Sequence, residues 1–406
     1  MASIFRLPSQ LSRYPFSLRT LFPRPVSSVR EFSLKLEEET LSWYSPSSFH
    51  PVKIGEIFQS RYEVIGKLGY GGYSTIWLCR DLQQHIYVTL KVCERNSSEG
   101  QRETKAYQHL NSLSIGDHAG ATLIRKALDN FQITSAEGGF HCLVHPPLRM
   151  SLYEFRTHLR AKVLPRAMVK LTLVHLLLAL AYLYTEAGIV HTDIQEKNIM
   201  MAIEDMSILT DFEEEEKSNP SPRKVIGDRA IYASRQFRKT KQHGRPIPCD
   251  FGQARLGSNT YFGDIQPYIY RAPEVILRMC WNEKVDTWNV GVLAWDLFQQ
   301  GNLFYARDSD KKSSDAHHLA EIIAIIGPPP KEMIKNSAYA TEFFDSDGNW
   351  KGAVDIPPVT LEKLEENLEG EQQQIFLRLL RKMLKWQPEK RESARELLDD
   401  PWLRST

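Results

Sequence analysis

The segment Ile189-Val190-His191-Thr192-Asp193-Ile194-Gln195-Glu196-Lys197-Asn198 decides the fold of this chain. It follows a long apolar run and precedes the strand-like Ile199-Met200-Met201, so it is predicted to be a loop between two ordered elements. Within it, Asp193 supplies a carboxylate able to accept a hydroxyl proton, and Asn198 supplies an amide oxygen able to bind Mg²⁺. The spacing therefore predicts a general base and a metal ligand in one loop.

A second carboxylate is expected farther along the chain. Cys249-Asp250-Phe251-Gly252 places Asp250 at the end of a predicted strand, and Tyr270-Arg271-Ala272-Pro273-Glu274 follows 20 residues later. Asp211-Phe212-Glu213 imitates the first of these motifs but lacks its glycine. Asp250 is therefore the better candidate for this second carboxylate.

Upstream, three short runs rich in Val, Ile, Tyr and Thr predict an antiparallel meander over Tyr62–Lys67, Ser74–Arg80 and Ile86–Cys93. The turn between the first two runs is Gly69-Tyr70-Gly71-Gly72-Tyr73-Ser74, called the glycine-rich hairpin below. Its backbone is free to approach phosphate oxygens. A strand follows these glycines, whereas a dinucleotide-binding fold requires a helix there.

Lys91 lies among strand residues, where a charged side chain must find an anion or point outward. Glu103 occupies a helical face from which it could project toward Lys91. Glu94 and Glu99 are alternatives for that partner.

From Pro165 onward the pattern becomes helical, and Pro146-Pro147 forms a stiff connector between the β-rich part and the helical part. The clearest helical periods cover Ala167–Ala187, Lys284–Phe298, Ala316–Ile326, Gln372–Leu384 and Arg391–Leu398. The apolar run Leu171–Val190 is interrupted by polar residues, so no transmembrane segment is expected.

The glycine-rich hairpin, the strand lysine, His-x-Asp-x-x-x-x-Asn, Asp-Phe-Gly and Ala-Pro-Glu occur in the order of the eukaryotic protein-kinase signature set. The chain resembles that family over about residues 60–404. Leu68–Leu78, with serine at the third glycine position, and His191-Thr192-Asp193 in place of His-Arg-Asp are similar to the SR-protein-specific kinases, most closely to their fungal relatives. Val285–Gly291 and Leu319–Pro330 agree with that larger group.

The resemblance implies an α+β, two-lobed protein-kinase fold with a small antiparallel β-rich N-lobe and a larger helical C-lobe. The expected N-lobe covers residues 60–148 and the C-lobe residues 149–404. A loop of about residues 204–244 is expected as an insertion between two strands. Its acidic run, Glu213–Glu216, is interpreted either as a grip for an arginine-rich peptide or as a solvated, flexible stretch.

The resemblance also implies roles for individual residues. Asp193 matches the catalytic base, Lys91 the lysine that holds the α and β phosphates of ATP, and Asn198 and Asp250 the Mg²⁺ ligands. Glu274 matches the acid that buttresses the C-lobe, against Arg391. Nucleotide contacts are implied for the hairpin, the strands and helix after it and the connector: Leu68, Gly69, Gly71, Ser74, Ile76, Lys91, Glu103, Pro146 and Leu148.

The connector agrees with this assignment. Adenine requires a backbone carbonyl and a backbone N–H, and proline has only the carbonyl. With His145 as the gatekeeper, Pro146 would supply the carbonyl and Leu148 the N–H. Neither proline is then required as a donor.

One departure concerns the transferred phosphate. Most serine/threonine kinases carry lysine two residues after the catalytic aspartate, where this chain has Gln195. Lys197 is a catalytic candidate, because it could supply to the γ-phosphate the positive charge that Gln195 lacks. The alternative interpretation is that Lys197 faces solvent and pairs with Glu196 or a nearby charge. The function that the resemblance implies is an ATP- and Mg²⁺-dependent Ser/Thr protein kinase acting on a protein hydroxyl, with Arg/Ser-rich substrates suggested by the SR-protein-specific kinases. The alternative is a weak or inactive pseudokinase that acts as a nucleotide-binding scaffold.

Composition limits the remaining expectations. The chain has 51 Lys and Arg against 50 Asp and Glu, which argues against direct nucleic-acid binding, and a monomer is expected.

Residues 1–30 contain five arginines, no lysine and no acid, typical of a mitochondrial transit peptide but also of a disordered basic tail. Residues 31–59 are interpreted as a linker. The compartment is therefore either mitochondrial or cytoplasmic and nuclear.

Overall fold

The computed structural model describes residues 35–114, 116–240, 242–257 and 260–405. These residues divide into two compact units. The first contains the chain up to Gly100, Ala127–Pro147 and Asp205–Gln242. The second contains Gln101–Lys126, Leu148–Glu204 and the chain from His243 onward. The expected transit peptide or tail over residues 1–30 lies outside the described residues.

Strands dominate the first unit and helices dominate the second. In chain order the strands are β1 (Ile57–Phe58), β2 (Tyr62–Gly71), β3 (Ser74–Asp81), β4 (Ile86–Arg95), β5 (Asp129–Ser135), β6 (Gly138–His145), β7 (Leu148–Ser151), β8 (Ile189–Val190), β9 (Ile199–Ala202), β10 (Arg223–Ile226), β11 (Arg229–Tyr232), β12 (Pro246–Pro248) and β13 (Arg255–Leu256). The helices are α1 (Ser98–Ser112), α2 (Leu152–His158), α3 (Arg166–Thr185), α4 (Ser207–Ser218), α5 (Pro273–Ile276), α6 (Lys284–Phe298), α7 (Asp315–Ile326), α8 (Lys331–Lys335), α9 (Leu361–Leu364), α10 (Gly370–Met383), α11 (Ala394–Leu397) and α12 (Pro401–Arg404).

The first unit is built on a six-stranded antiparallel sheet in the order β1-β2-β3-β4-β6-β5. This sheet contains the predicted meander, with β2 and β3 extended to meet at Gly71 and Ser74. Side chains alternate across a strand, and Val88, Leu90 and Val92 of β4 face the buried core. The alternation therefore directs Lys91 to the opposite face of the sheet.

The interpretation of residues 31–59 as a linker is wrong for the described part, residues 35–59. Two 3₁₀ turns, Glu37–Thr40 and Pro46–Ser48, precede β1, which pairs with β2. Phe49 and Val52 are buried at 2% and 1% exposure. Burial of these apolar side chains stabilises the segment as part of the first unit.

The insertion is also more than a loop. It lies between β9 and β12, which pair with each other, so its position between two strands agrees with the prediction. It folds into α4 and the hairpin β10–β11, and by its contacts it belongs to the first unit. Tyr232 of β11 joins the core of the large sheet, where its ring meets Trp77 edge-on at 5.8 Å.

The interpretation of the acidic run as a solvated, flexible stretch is wrong for two of its four glutamates, which are buried. Glu213 forms ion pairs with Arg80 and Lys217 and accepts a 2.6 Å hydrogen bond from the Tyr87 hydroxyl. Burial acts to raise the pKa of Glu213, but these partners outweigh it and lower the pKa. Glu216 accepts hydrogen bonds from Ser221 and from Arg235 at 2.8 Å. These contacts fasten α4 to the first unit, so only Glu214 and Glu215 are exposed.

The second unit is organised around α3, which packs against α6, β12 and α11. Among the described residues, α3 is the one helix long and apolar enough to cross a membrane. More than half of it is buried inside the unit, as expected for a core helix of a globular protein. Two small antiparallel sheets lie in this unit, β7-β9-β12 and β8-β13.

The helical periods predicted from Pro165 onward are present with ends shifted by a few residues, except the last. The helix predicted over Arg391–Leu398 contains only α11. Ser393 caps α11 by accepting a hydrogen bond from the Glu396 amide, so the helix cannot begin earlier.

Candidate active site

The loop that carries Asp193 runs from β8 to a 3₁₀ turn ahead of β9 in the second unit. Asp286, buried in α6, accepts hydrogen bonds from the amides of His191 at 2.8 Å and Thr192 at 2.7 Å. Thr192 has a φ of 67°, a left-handed conformation that needs such support. Burial raises the pKa of Asp286 to about 7, against the lowering effect of these hydrogen bonds. Asp286 therefore anchors the loop.

The carboxylate of Asp193 is held by two side-chain amides. Gln195 Nε2 donates to Asp193 Oδ1 at 2.8 Å, and Asn198 Nδ2 donates to Asp193 Oδ2 at 2.6 Å. Burial and then the charge of Asp250 raise the pKa of Asp193 to about 7, while the two amides act in the opposite direction. A carboxylate with a pKa close to neutral is suited to accept and release a proton.

Asp250 is placed beside this loop by backbone hydrogen bonds. The amide of Cys249 donates to the carbonyl of Asn198 at 2.8 Å, and the amide of Gly252 donates to Asp250 Oδ1 at 3.2 Å. Asp250 has a φ of 67°, and the next residue, Phe251, is completely buried. The structure thus brings together three predicted site residues of the second unit: Asp193, Asn198 and Asp250.

His191 supports this arrangement from inside the unit. Its Nε2 lies 3.1 Å from the carbonyl oxygen of Cys249, and its ring packs on Phe251 at a centroid distance of 5.1 Å. Phe251 also meets Tyr107 of α1 edge-on at 5.2 Å. Burial lowers the pKa of His191 to about 4, so the ring is neutral at physiological pH.

The structure separates the two candidates for the phosphate contact. Gln195 donates to the Asp193 carboxylate, as described above. Lys197 is exposed, and its Nζ lies 5.3 Å from the centroid of the Tyr153 ring. Glu196, the pairing partner considered for Lys197, instead forms a two-point ion pair with Arg156 through contacts of 2.7 Å.

In the first unit, three of the predicted nucleotide-binding residues share one cross-strand row. Gly69 of β2 pairs with Ile76 of β3, Ile76 pairs with Lys91 of β4, and Lys91 pairs with Leu143 of β6. Directly paired residues project from the same face of a sheet, so Ile76 and Lys91 lie together opposite the core. A Cβ atom at Gly69 would meet no atom within 4 Å, so its backbone is accessible.

The other hairpin residues frame this row. Leu68 and Gly71 belong to β2, and Ser74 begins β3 opposite Gly71. The Ser74 Oγ atom would lie 3.4 Å from a Cβ atom at Gly71. The serine at the third glycine position is therefore buried beside the turn.

The remaining predicted residues lie at the ends of their elements or inside a helix. Pro146 follows β6 directly, and Leu148 begins β7. Glu103 is buried in α1 at 2% exposure, whereas its rivals Glu94 and Glu99 are partly exposed. The pairing of Lys91 with Glu103 stays a prediction.

Two further predictions concern single acids. Asp211, in the motif that imitates Asp-Phe-Gly, lies in α4 and is ion-paired with Arg238. Glu274 and Arg391 form the predicted buried ion pair, with two contacts of 2.7 Å. The predicted contact between Glu274 and Arg391 is therefore confirmed.

Sequence reasoning assigned no role to Asp286. The available signal was a carboxylate near the start of the predicted helix Lys284–Phe298, most of whose residues are apolar. A charge in such a helix must be paired or hydrogen-bonded when it is buried, which marks it as a candidate anchor.

Comparison with known proteins agrees with this geometry. The protein kinase domain family matches residues 62–403. A serine/threonine protein kinase of Aspergillus fumigatus is 45% identical over 385 residues, covering 93% of this chain and 94% of the relative. The serine/threonine-protein kinase SRPK of Physarum polycephalum is 28% identical, with 90% and 91% covered. SRSF protein kinase 3 of Homo sapiens is 24% identical, with 90% of each chain covered.

The fold is supported by a solved structure as well. The crystal structure of a kinase domain matches with a TM-score of 0.68 at 24% identity, covering 88% of this chain and 99% of that chain. The expected two-lobed α+β kinase fold and the resemblance to the SR-protein kinases are confirmed, the latter as a distant relationship. The chain therefore belongs to the protein kinase domain family and is a serine/threonine protein kinase.

Proposed function

We propose that the protein transfers the γ-phosphoryl group of ATP to a serine or threonine hydroxyl of a protein, with Asp193 as the general base. The observation that carries this proposal is the Asp193 carboxylate, which is held by amide donors from Gln195 and Asn198. The substrate oxygen bonds to the γ-phosphorus as the bond to the β-phosphate oxygen breaks. The hydroxyl proton passes to Asp193, and ADP leaves.

The residues near Asp193 fit a magnesium ion. Asn198 uses Nδ2 to bond Asp193, so its amide oxygen remains an acceptor, and Asp250 adds a carboxylate. Within the described residues, no cluster of three His, Cys, Asp or Glu side chains could hold a metal. One amide oxygen and one carboxylate suit Mg²⁺, which is commonly held by one or two side chains together with phosphate oxygens. When bound, Mg²⁺ would neutralise negative charge on the phosphates.

The nucleotide contacts in this proposal come from Gly69, Lys91 and Pro146 of the first unit and from Glu103 and Leu148 of the second. The hairpin backbone at Gly69 would approach the phosphates, and the Lys91 ammonium would form a charge-assisted hydrogen bond with them. Glu103 would orient Lys91. The Pro146 carbonyl and the Leu148 amide would bind the adenine edge.

Lys197 is proposed to contact the γ-phosphate, since Gln195 carries no charge and donates to Asp193. A cation near the equatorial oxygens of the transition state acts in catalysis more than in binding. We expect Lys197→Ala to lower kcat by about 10- to 100-fold with little change in ATP affinity. The double change Gln195→Lys with Lys197→Ala should restore part of the loss.

Steady-state kinetics at saturating ATP will measure this effect, with Lys335→Ala as the exposed-lysine control. If Lys197→Ala retains the wild-type kcat, Lys197, whose ammonium lies over the Tyr153 ring, is only a surface charge.

The proposed substrates are proteins rich in Arg and Ser. Support comes from relatives whose names assign them to SRSF proteins or to the SRPK group. Purified protein should phosphorylate a peptide of alternating arginine and serine about tenfold more efficiently than a matched lysine–serine peptide, because arginine offers a planar pair of donors to carboxylates. Mass spectrometry of both peptides will locate and quantify the phosphate.

The outcomes of that experiment distinguish the substrate class from the activity. Equal phosphorylation of both peptides would remove the Arg/Ser preference and keep the kinase activity. Binding of Mg-ATP without phosphorylation of these peptides or of a generic basic protein would favour the pseudokinase alternative, to which Gln195 points.

A further inference from the structure

We propose that Trp43 is a positioning residue for the glycine-rich hairpin, which it holds in place through a segment outside the matched kinase domain. This segment, residues 36–44, is called the strap. The inference rests on the proposed function, in which the hairpin contacts the phosphates of ATP. Both the strap and the hairpin belong to the first unit.

The strap is anchored by three consecutive glutamates in the turn Glu37–Thr40. Glu38 forms an ion pair with Lys67 of β2, a lysine whose side chain is completely buried. Lys67 Nζ also donates to the carbonyl of Tyr232 at 3.1 Å. A buried ammonium needs such a partner, because burial of an unpaired charge is strongly unfavourable. Glu38 therefore attaches the strap to Lys67, which lies two residues before Gly69, the first glycine of the hairpin.

The two neighbouring glutamates attach the strap to the insertion. The carboxylate of Glu37 accepts hydrogen bonds from the Ser234 hydroxyl at 2.7 Å and from the Ser234 amide at 3.1 Å. Glu39 forms an ion pair with Lys224 of β10 at 3.0 Å. With three separate attachments, the turn is a fixed base for the residues that follow it.

Beyond this base, the strap touches the tip of the hairpin. Trp43 Nε1 donates to the carbonyl of Gly72 at 3.0 Å, and its ring stacks on Tyr73 with a centroid distance of 6.1 Å. The hydroxyl oxygens of Thr40 and Tyr70 lie 3.4 Å apart. The strap thus contacts the hairpin at three residues, and one contact is to the backbone of Gly72, in the turn between β2 and β3.

These contacts contribute little to the core. Trp43 remains 54% exposed, and Tyr70 and Tyr73 remain 39% and 44% exposed. Their geometry instead restricts a turn that would otherwise be free to move, because glycine permits many backbone conformations. The strap meets the tip at Gly72, while the space beside Gly69 stays open for a ligand.

A hairpin that is already ordered loses less conformational freedom when a ligand binds. We expect Trp43→Ala to raise the Kd for Mg-ATP and the KM for ATP by about 3- to 10-fold, the range for loss of one neutral hydrogen bond. The kcat at saturating ATP and the melting temperature should stay close to wild type. Trp43→Phe keeps the ring but loses the indole donor, so its effect should be smaller.

Two measurements test the inference in the full-length protein. Calorimetric titration with Mg-ATP gives Kd, and hydrogen exchange of the peptide containing Gly71 to Ser74 reports order in the hairpin without nucleotide. The matched control is Trp350→Ala, which removes an indole that donates to Val354 and packs on Phe344 in the second unit. Trp43→Ala should accelerate exchange in the hairpin peptide, and Trp350→Ala should not.

Unchanged Kd, KM and hairpin exchange in Trp43→Ala, with an active wild type, would overturn this inference alone. A lower kcat, a higher Kd for Mg-ATP and a lower melting temperature in both tryptophan variants would also overturn the inference, because that pattern indicates a general structural role. A wild-type protein that does not bind Mg-ATP would overturn the proposed function together with the inference.

Discussion

Replacement of Asp193 by asparagine is expected to lower the rate of phosphotransfer by about 10²- to 10⁴-fold, the usual contribution of a general base. The two side chains are nearly the same in shape, so the loop and its anchor at Asp286 should be retained. An asparagine amide cannot take up the hydroxyl proton. It also places an NH₂ group opposite the donors of Gln195 and Asn198, one of which must reorient.

The effect will be measured as single-turnover phosphotransfer at saturating Mg-ATP, together with the melting temperature. Asp211→Asn is the matched control, because Asp211 lies in α4 in the motif that imitates Asp-Phe-Gly. This control should retain wild-type kcat. Substantial activity in Asp193→Asn would refute the assignment of the base.

The largest expected effect on stability comes from Glu274→Gln. Arg391 donates two 2.7 Å hydrogen bonds to Glu274, and the side chains are 0% and 1% exposed. The guanidinium also donates to the carbonyls of Lys385, Lys284 and Trp386, so it cannot turn toward water without losing them. Loss of the carboxylate charge leaves a buried cation without its counter-ion, which costs about 3–5 kcal/mol.

Urea unfolding followed by tryptophan fluorescence will measure this loss as a shift of the midpoint. The matched control is Glu362→Gln, which removes one partner of the exposed ion pair between Glu362 and Arg381. Exposed pairs contribute at most about 1 kcal/mol, so the control midpoint should move little. Equal shifts in the two variants would contradict a stabilising role for the buried pair.

The parts of the fold that were predictable carry local signals. The meander over β2, β3 and β4 alternates apolar residues with period two, and the long helices repeat apolar residues with the helical period. The loop of Asp193 and Asn198 depends on spacing within ten residues of chain. These features required no knowledge of distant contacts.

The strap and the insertion could not be predicted in this way, because remote partners order them. Glu38 of the strap pairs with Lys67, 29 residues later. Glu213 of the insertion pairs with Arg80, 133 residues earlier. When the remote partners of polar and charged residues are unknown, such a stretch is interpreted as exposed to solvent. Residues 35–59 were therefore interpreted as a linker, and the acidic run as a flexible loop.

In the candidate active site, too, contacts between residues distant in sequence could not be predicted. Asp193, Asn198 and Asp250 were predicted from motifs, whereas the support from Asp286 and the pairing of Glu196 with Arg156 depend on packing between elements. Gln195 was recognised as a departure from the common pattern. Its hydrogen bond to the base became visible only in three dimensions.

The central claim is that this protein transfers phosphate by means of Asp193, and one measurement tests it most directly. Wild-type protein and Asp193→Asn would each be mixed with Mg-ATP and a serine- and arginine-rich protein substrate. Calorimetry would measure nucleotide binding, and mass spectrometry would measure phosphate on serine or threonine. We predict that both proteins bind Mg-ATP and that only the wild type phosphorylates the substrate. Nucleotide binding by the wild type without any phosphotransfer would contradict the claim.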